Sequence, residues 1–259
     1  MLKLKSIAGL LFSSVFLVSA SWAAHPLITD DAETQGKGKY QLELNGQYNW
    51  DREDVDGVTM KTTGGLVNAT LTYGVAEKVD LAITLPYQWG KVEGDGVIPH
   101  NEKGISDAVL EAKWQFYEKE GLGLAAKPGI RFPTGNHDKD LGSGRVGGQL
   151  FLIGSKEVAP WAFHVNLGYI RNENKLDERT DLWHASLAAE RYMTKKLKLI
   201  ANIGQERNPD IKCTNHPAFL IGGLIYSIAE GVDLDGGVKY GLTSSETDWS
   251  LLTGVTIRF

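Results

Sequence analysis

His184 and Ser186 are the residues of this chain whose types and spacing best suit nucleophilic chemistry. Side chains two residues apart in a strand point to the same face, so the imidazole could take a proton from the serine hydroxyl. The flanking residues Trp183, Ala185 and Leu187 are apolar or small and occupy the opposite face. The sequence offers no convincing third residue that would orient the histidine. We therefore interpret the pair as polar lining and predict no catalytic residues.

Other reactive groups form no recognisable site. His100, His137 and His216 fall in segments that also carry acidic residues, but their spacing does not define a set of metal ligands. The sequence motifs of zinc proteases, serine hydrolases and phosphate-binding loops are missing. We expect no metal, no other cofactor and no enzyme activity.

The segments that would position these side chains are strands with one apolar and one polar face. From Tyr40 to Trp50, apolar and small residues alternate with polar ones, and the segment from Trp249 to Phe259 repeats the pattern. Because successive side chains of a strand point to opposite faces, one face suits lipid and the other suits water. No segment after residue 23 approaches the ~20 continuous apolar residues of a spanning helix. Lipid offers no partner to unpaired backbone groups, so strands that span it must close into a barrel.

About twelve alternating segments follow one another along the chain. They predict an all-β fold, a transmembrane antiparallel up-and-down β-barrel, with about 10–14 strands as the range. Long polar connections, at 51–63, 90–104, 133–144, 171–180 and 206–216, alternate with short ones. This alternation is typical of long extracellular loops and short periplasmic turns, and aromatic residues near both strand ends indicate two interfacial girdles. The alternative is a soluble barrel with an aromatic core.

The N-terminal residues predict export. Lys3 and Lys5 precede an apolar run at 7–18, and small residues at 21 and 23 suit a cleavage site, as in a signal peptide. The alternative is a retained membrane anchor. We expect a Gram-negative outer-membrane protein in three parts: a signal peptide at 1–23, an N-terminal periplasmic or plug segment at 24–37, and a transmembrane barrel at 38–259.

Composition narrows the partners. The formal net charge of −5 argues against nucleic acid, and the single cysteine, Cys213, cannot form an internal disulfide. The terminal aromatic residue, Phe259, suits recognition by the barrel assembly machinery of the outer membrane. We expect the partners to be outer-membrane lipid, that machinery and a small-molecule solute.

Charged residues on the polar face are candidates for lining a pore. A Lys or Arg that faced lipid at mid-bilayer would cost about 2–4 kcal/mol, so the charged residues of the strands should face the interior. The candidates are Glu43, Glu111, Lys113, Lys127, Arg131, Lys239 and Arg258. Two interpretations remain open. Lys113, Lys127 and Arg131 form a basic wall that favours anionic solutes, or charges of both signs pair and fill the lumen.

Two segments break the alternation. At 146–154 and 218–228, four large apolar residues fall on the face that is polar elsewhere: Phe151, Ile153, Phe219 and Ile221. Either the register differs from the simple pattern, or part of the lumen is apolar. An apolar lumen patch would give aromatic solutes a path through the barrel.

The stretch from His25 to Glu43 contains Pro-Leu-x-Thr-Asp-Asp-Ala, followed by a Gly-rich step into the first strand. Further motifs are the Leu-Pro-Tyr that ends at Tyr87, Gly-Ile-Ser-Asp at 104–107 and Gly-Ile-Arg-Phe-Pro-Thr-Gly at 129–135. With these motifs, essentially the whole mature chain resembles the Putative meta-pathway of phenol degradation family. The resemblance implies a transporter-like outer-membrane barrel with a link to uptake of aromatic or other hydrophobic compounds.

Asp30 and Asp31 lie in the first of these motifs. They either anchor the N-terminal segment inside the barrel as a small plug or cap a periplasmic turn. The choice decides whether the lumen of the folded protein is open or occupied.

The sequence as a whole predicts an outer-membrane channel for passive uptake of small solutes, with aromatic or hydrophobic compounds as candidates. About twelve strands leave a narrower lumen than the roughly sixteen to eighteen strands of general porins. Two alternatives remain. One is an outer-membrane lipid-modifying enzyme that uses His184 and Ser186, and the other is a structural or adhesive barrel with a plugged lumen.

Overall fold

The computed structural model describes residues 25–55, 58–94 and 100–259. The predicted signal peptide at 1–23 lies outside the described residues, as does the side chain of His100. Within the three described ranges, no helix is long and apolar enough to cross a membrane.

The described chain forms thirteen strands and one short 3-10 helix, at His137–Lys139. The strands are β1 (Tyr40–Val55), β2 (Val58–Ala76), β3 (Val79–Gly94), β4 (His100–Ile105), β5 (Ala108–Lys119), β6 (Leu122–Phe132), β7 (Gly147–Val158), β8 (Trp161–Arg171), β9 (Asp181–Tyr192), β10 (Leu197–Glu206), β11 (Ala218–Ala229), β12 (Val232–Gly241) and β13 (Trp249–Arg258). All of them belong to one antiparallel sheet.

β4 and β5 are two halves of one strand position. β3 pairs with β5 along Val79–Thr84 and with β4 along Tyr87–Val92. The break at Ser106 and Asp107 lies beside Pro86, which has no N–H to donate across the sheet. The Ser106 amide instead donates to the Pro86 carbonyl at 2.9 Å. The thirteen strands therefore fill twelve positions.

Pairing of β1 with β13 closes the sheet. The register runs from Gln41 opposite Arg258 to Trp50 opposite Trp249, while the other edge of β1 pairs with β2. Every described strand except β4 therefore has a partner on both sides, and β4 pairs with β3 alone. The other twelve strands form a closed ring without an open sheet edge. The predicted antiparallel transmembrane barrel of about twelve strands is confirmed.

The two ends of the barrel differ in their connections. Short turns at 77–78, 120–121, 159–160, 193–196 and 230–231 lie at the end that carries Tyr40 and Phe259, here called the short-turn end. Longer loops at 133–146, 172–180, 207–217 and 242–248 lie at the opposite, long-loop end. The predicted alternation of long and short connections is thus present.

Two of the predicted long loops, at 51–63 and 90–104, are wrong in their bounds. β1 and β2 stay paired as far as Val55 and Val58, and β3 and β4 pair as far as Val92 and His100. β1, β2 and β3 have 16, 19 and 16 residues, whereas a tilted strand needs about 9–11 to cross a bilayer. The polar composition that indicated loops instead belongs to strands that continue past the bilayer into water.

The outer surface of the barrel is apolar. Leucine, isoleucine and valine side chains at the middle of the strands are 39–58% exposed, among them Val67, Ile83, Leu85, Leu152, Leu167 and Leu187. The polar residues that alternate with them are buried inside, for example Thr84 at 1% and Ser186 at 5% exposed. This division gives the outer face to lipid and the inner face to a polar lumen.

Aromatic residues form a belt near each end of the outer surface. At the short-turn end, Tyr40 stacks on Tyr73 and Phe259, with ring centroids 4.7 and 5.6 Å apart. At the long-loop end, Tyr240 lies 4.5 Å from Trp249, again between ring centroids. The two predicted interfacial girdles are therefore present. Their position is expected, because amphipathic aromatic rings favour the level of the lipid headgroups.

The lipid-facing surface can be tested with two residues of nearly equal exposure. Leu167, on β8, is 58% exposed and Ile211, in the loop at 207–217, is 57% exposed. Leu167→Arg should lower the free energy of unfolding by about 2–4 kcal/mol because it places a charge in lipid. Ile211→Arg should leave it nearly unchanged. Urea titration of the protein folded into phospholipid vesicles measures both, and equal losses would contradict a lipid-facing β8.

Candidate functional site in the barrel lumen

Residues 25–37, here called the N-terminal segment, cross the inside of the barrel before β1 begins. The amides of Ile28 and Thr29 donate to Asn202 Oδ1 on β10, at 2.7 and 3.1 Å. The Ala32 amide donates to Ser155 Oγ on β7 at 2.8 Å, and the Gln35 amide donates to a carboxylate oxygen of Asp80 on β3 at 3.0 Å. These acceptors come from well-separated parts of the wall, so the segment spans the lumen between them.

Asp30 is the centre of a buried cluster of charges. Its carboxylate accepts from Lys113 Nζ at 3.0 Å and from Lys127 Nζ at 2.8 Å. Lys113 also donates to the carbonyls of Asp31 and Glu33, at 3.1 and 3.0 Å. The Asp30 side chain is 0% exposed and that of Lys127 is 2% exposed. Removing one member of such a cluster is costly, because it leaves a buried charge without its partner.

The first residues of the segment pack against β11 and β12. His25 Nδ1 lies 2.5 Å from Asp235 Oδ1. Pro26 lies so close to Gly223 and Gly237 that a Cβ atom on either glycine would come within 3.0 Å of the Pro26 ring. These glycines provide the space in which the segment approaches the wall.

A Gly-rich turn leads the segment out of the lumen into β1. Gly36 and Gly38 have φ angles of +82° and +81°, a region that other residues rarely adopt. Gly36 passes so close to Gly74 on β2 that a Cβ atom on Gly74 would collide with the Gly36 carbonyl. The Gly38 amide then donates to the Gly74 carbonyl at 2.7 Å. The Gly-rich step noted in the sequence is therefore required by this turn.

The four apolar residues that break the strand alternation face the lumen and pack against the N-terminal segment. Phe219 and Ile221 belong to a buried cluster with Leu27, and Phe151 and Ile153 belong to a second cluster with Ala32. All four are at most 3% exposed. With the segment in place, these residues form its seat and do not line an open path.

Both phenylalanine rings of this seat lie over glycines on neighbouring strands. A Cβ atom on Gly168 would come within 2.4 Å of the Phe151 ring, and one on Gly204 would come within 2.5 Å of the Phe219 ring. The glycines let each ring lie flat against the wall, which leaves room for the segment.

The charged residues proposed as pore lining lie on the inner face, and most are paired. Glu43, Glu111, Lys127 and Lys239 are at most 7% exposed. Lys239 Nζ lies 2.8 Å from Glu246, and Arg131 donates to Asn172 at 2.7 Å and lies 3.7 Å from Asp107. Arg258, at the short-turn end, lies 2.6 Å from Asp233. Because Lys113 and Lys127 are held by Asp30, the geometry favours paired charges over a free basic wall.

Asp107 explains one of the sequence motifs. Its carboxylate accepts from the Gly135 amide at 3.0 Å, and from the amide and hydroxyl of Ser143 at 2.8 and 2.6 Å. These bonds hold the loop at 133–146 against the break between β4 and β5. The motif residues at 104–107 and 129–135 therefore meet in one place, with a structural role.

His184 and Ser186 have a third partner that the sequence interpretation missed. His184 Nε2 lies 3.0 Å from Ser186 Oγ, and His184 Nδ1 lies 3.4 Å from Glu206 Oε2. Glu206 is opposite His184 in the pairing of β9 with β10. The expectation that no residue orients the histidine was wrong. The expected inward orientation holds, since His184 is 2% exposed and Ser186 is 5% exposed.

A cavity of about 580 Å³ lies between the N-terminal segment and the wall at the short-turn end. We call it the chamber. Six carboxylates and four cationic side chains line it: Asp31, Glu33, Glu43, Asp80, Glu111, Glu230, Lys39, Lys113, Lys127 and Arg258. The chamber reaches the rim formed by Tyr40 and Phe259. Its volume falls in the range of about 300–1,000 Å³ that is usual for small-molecule sites.

Solved structures share this architecture. An outer membrane channel from Pseudomonas putida F1 is 15% identical, with 88% of this chain and 98% of that chain covered and a TM-score of 0.70. The translocator domain of the autotransporter NalP from Neisseria meningitidis is 15% identical, covers 86% and 89%, and has a TM-score of 0.56. The toluene transporter TbuX of Ralstonia pickettii is 9% identical, covers 86% and 89%, and has a TM-score of 0.51.

At these identities the likeness shows the fold alone, and the three proteins have different roles by their names. No curated protein matches the sequence significantly. Residues 26–259, however, match the family model described as Putative MetA-pathway of phenol degradation. This match covers nearly all of the chain described above, so the protein belongs to the Putative MetA-pathway of phenol degradation family.

Proposed function

We propose that this protein is an outer-membrane channel through which small aromatic or otherwise hydrophobic solutes diffuse passively, with the N-terminal segment as its plug. One observation carries the proposal. The lumen is filled by a separate segment at 25–37, and not only by side chains of the wall. A filling made by a separate segment could leave the lumen while the closed wall stays intact, which side chains fixed to the wall could not do. Diffusion through such a lumen requires no cofactor and no energy source.

The family name and one structural neighbour support aromatic solutes. The neighbour TbuX is named a toluene transporter. In this chain, removal of Leu27 and Ala32 would uncover the seat formed by Phe151, Ile153, Phe219 and Ile221. An uncovered apolar strip on an otherwise polar wall would favour a solute with an apolar ring.

The membrane and the assembly machinery are the proposed partners of the outer surface. The apolar band and the aromatic belts match the layers of a bilayer. Phe259 is 67% exposed at the short-turn end, where a C-terminal aromatic side chain is accessible to the assembly machinery. The short-turn end would then face the periplasm.

The plug is tested by Asp30→Asn. The substitution removes the carboxylate that both Lys113 and Lys127 contact, and leaves them only Asp31 and Glu111, each at 3.6 Å. We expect this loss to weaken seating of the segment by roughly 1.5–3 kcal/mol. We expect the conductance of the purified protein in planar bilayers to rise at least tenfold. Asp138→Asn, at a loop carboxylate that is 82% exposed, is the control and should change nothing. A variant D30N that stays as silent as the parent protein would argue for a structural or adhesive barrel.

The aromatic path is tested by Ile221→Asp in the D30N background. Ile221 is 1% exposed in the apolar seat, so a carboxylate there would repel an apolar solute that passes it. We expect uptake of radiolabelled toluene into proteoliposomes to fall several-fold relative to uptake of arabinose. Ile211→Asp, in an exposed loop, is the control. An unchanged ratio of the two solutes would show that aromatic compounds do not use this seat.

Ester hydrolysis is the second candidate function, because Glu206 completes a serine, histidine and acid constellation. It takes second place since the chamber does not reach Ser186. If Ser186 were a hydrolytic nucleophile, a fluorophosphonate would label it and the protein would hydrolyse a p-nitrophenyl ester. Ser186→Ala would then abolish both the labelling and the hydrolysis. We expect neither labelling nor turnover in the parent protein. Labelling that depends on Ser186 would reverse the order of the two candidates.

A further inference from the structure

Three oxygens on the neighbouring strands β1, β2 and β3 have no hydrogen-bond partner among the described residues. They are Glu43 Oε2, Thr70 Oγ1 and Thr84 Oγ1. The register places Glu43 opposite Thr70 and Thr70 opposite Thr84, so the three side chains share one level of the barrel. Each residue is 1% exposed. At the next polar level of the barrel, Asn45 lies opposite Asn68 in the strand register. The side-chain oxygen Oδ1 of each also has no hydrogen-bond partner among the described residues.

Buried oxygens without a hydrogen-bond partner indicate which chemical groups a ligand at this place would need. A buried polar atom without a hydrogen bond costs about 1–3 kcal/mol, so a ligand that satisfies several such atoms gains that energy on binding. A carboxylate accepts only, and a threonine hydroxyl is able to accept. An alkylammonium group has three N–H donors and no acceptor. Three acceptors on one level therefore match the donors of one ammonium group.

The charges around Glu43 favour a cation over a neutral donor. Glu43 lines the chamber, where carboxylates outnumber cationic side chains. Lys113 and Lys127 are occupied by Asp30, and Arg258 is occupied by Asp233. Among the described residues, none of the ion pairs within 4 Å involves Glu43. The Glu43 carboxylate is thus buried without an ion-pair partner within 4 Å, so a cationic ligand would give it a close counter-charge.

We propose that Glu43, Thr70 and Thr84 form a binding site for the protonated amino group of a small organic ammonium ion. Glu43 supplies the charge, and the two hydroxyls accept the remaining N–H groups. Of the three residues, Glu43 lines the chamber, whereas Thr70 and Thr84 are not part of its lining. The ammonium group would therefore reach the site past Glu43, and the chamber of about 580 Å³ would hold the organic part of the molecule. The idea that organic ammonium ions are substrates of the channel rests on the proposed function, but the existence of the binding site does not.

The test compares three probes with the same ring and different charge, namely benzylammonium, benzyl alcohol and benzoate. Each is titrated by calorimetry into the folded protein in non-ionic detergent. We expect millimolar or tighter binding of benzylammonium and at least tenfold weaker binding of the other two. A charge-assisted hydrogen bond contributes enough for Glu43→Gln to weaken benzylammonium binding at least tenfold. Thr84→Val should weaken it several-fold.

The control is Glu118→Gln, because Glu118 is 59% exposed, pairs with Lys78 and lies outside the chamber. It should bind benzylammonium as the parent protein does. Heat-modifiable mobility on a gel shows whether each variant is folded, and Thr84→Val decides the matter if Glu43→Gln is not. Equal affinity for all three probes, no heat with benzylammonium, or unchanged binding by folded Glu43→Gln would overturn the site. Conductance failure alone would overturn the channel and leave this site standing.

Discussion

The pairing of backbone groups is the constraint on which this structure depends. A strand in lipid has no water to satisfy its amides and carbonyls, so the sheet must close on itself. Closure occurs where β1 pairs with β13, over ten opposed residue pairs from Gln41 and Arg258 to Trp50 and Trp249. Once closed, the sheet has an outside and an inside, and each alternating strand gives its apolar residues to the first and its polar residues to the second. Closure of the sheet thus accounts for both the barrel fold and the polar lumen.

A barrel closed at twelve strand positions encloses more space than the side chains of its wall fill. About eight strands enclose a space that side chains can fill, and a larger ring leaves a gap. The N-terminal segment occupies that gap and brings its own polar backbone into the lumen. Asn202, Ser155 and Asp80 accept hydrogen bonds from it, and Gly74, Gly223 and Gly237 leave space for it. The inner face of the wall is therefore complementary to the segment in both shape and hydrogen bonding.

The fold could be predicted because its signal is local, whereas the site depends on contacts between distant residues. Alternation with a period of two identifies each strand alone, and the inward apolar residues of β7 and β11 are its main exceptions. Asp30 meets Lys113 and Lys127 across 83 and 97 residues, which no local pattern reveals. Glu206 meets His184 only through the register of β9 with β10. The bounds of the loops at 51–63 and 90–104 failed because strands in water and loops share a polar composition.

The segment also determines the charge that the lumen presents. With Asp30 in place, two lysines are neutralised and the carboxylates of the chamber outnumber the cations that remain available to them. Lys127 is also 3.6 Å from Glu111, so it already has an acidic neighbour on the wall. If the segment leaves with Asp30, the two lysines stay on the wall and compensate those carboxylates. Seating of the segment and the negative charge of the chamber are therefore linked. A cation held at Glu43 favours the seated state, because only in that state is the chamber's excess negative charge left for the ligand.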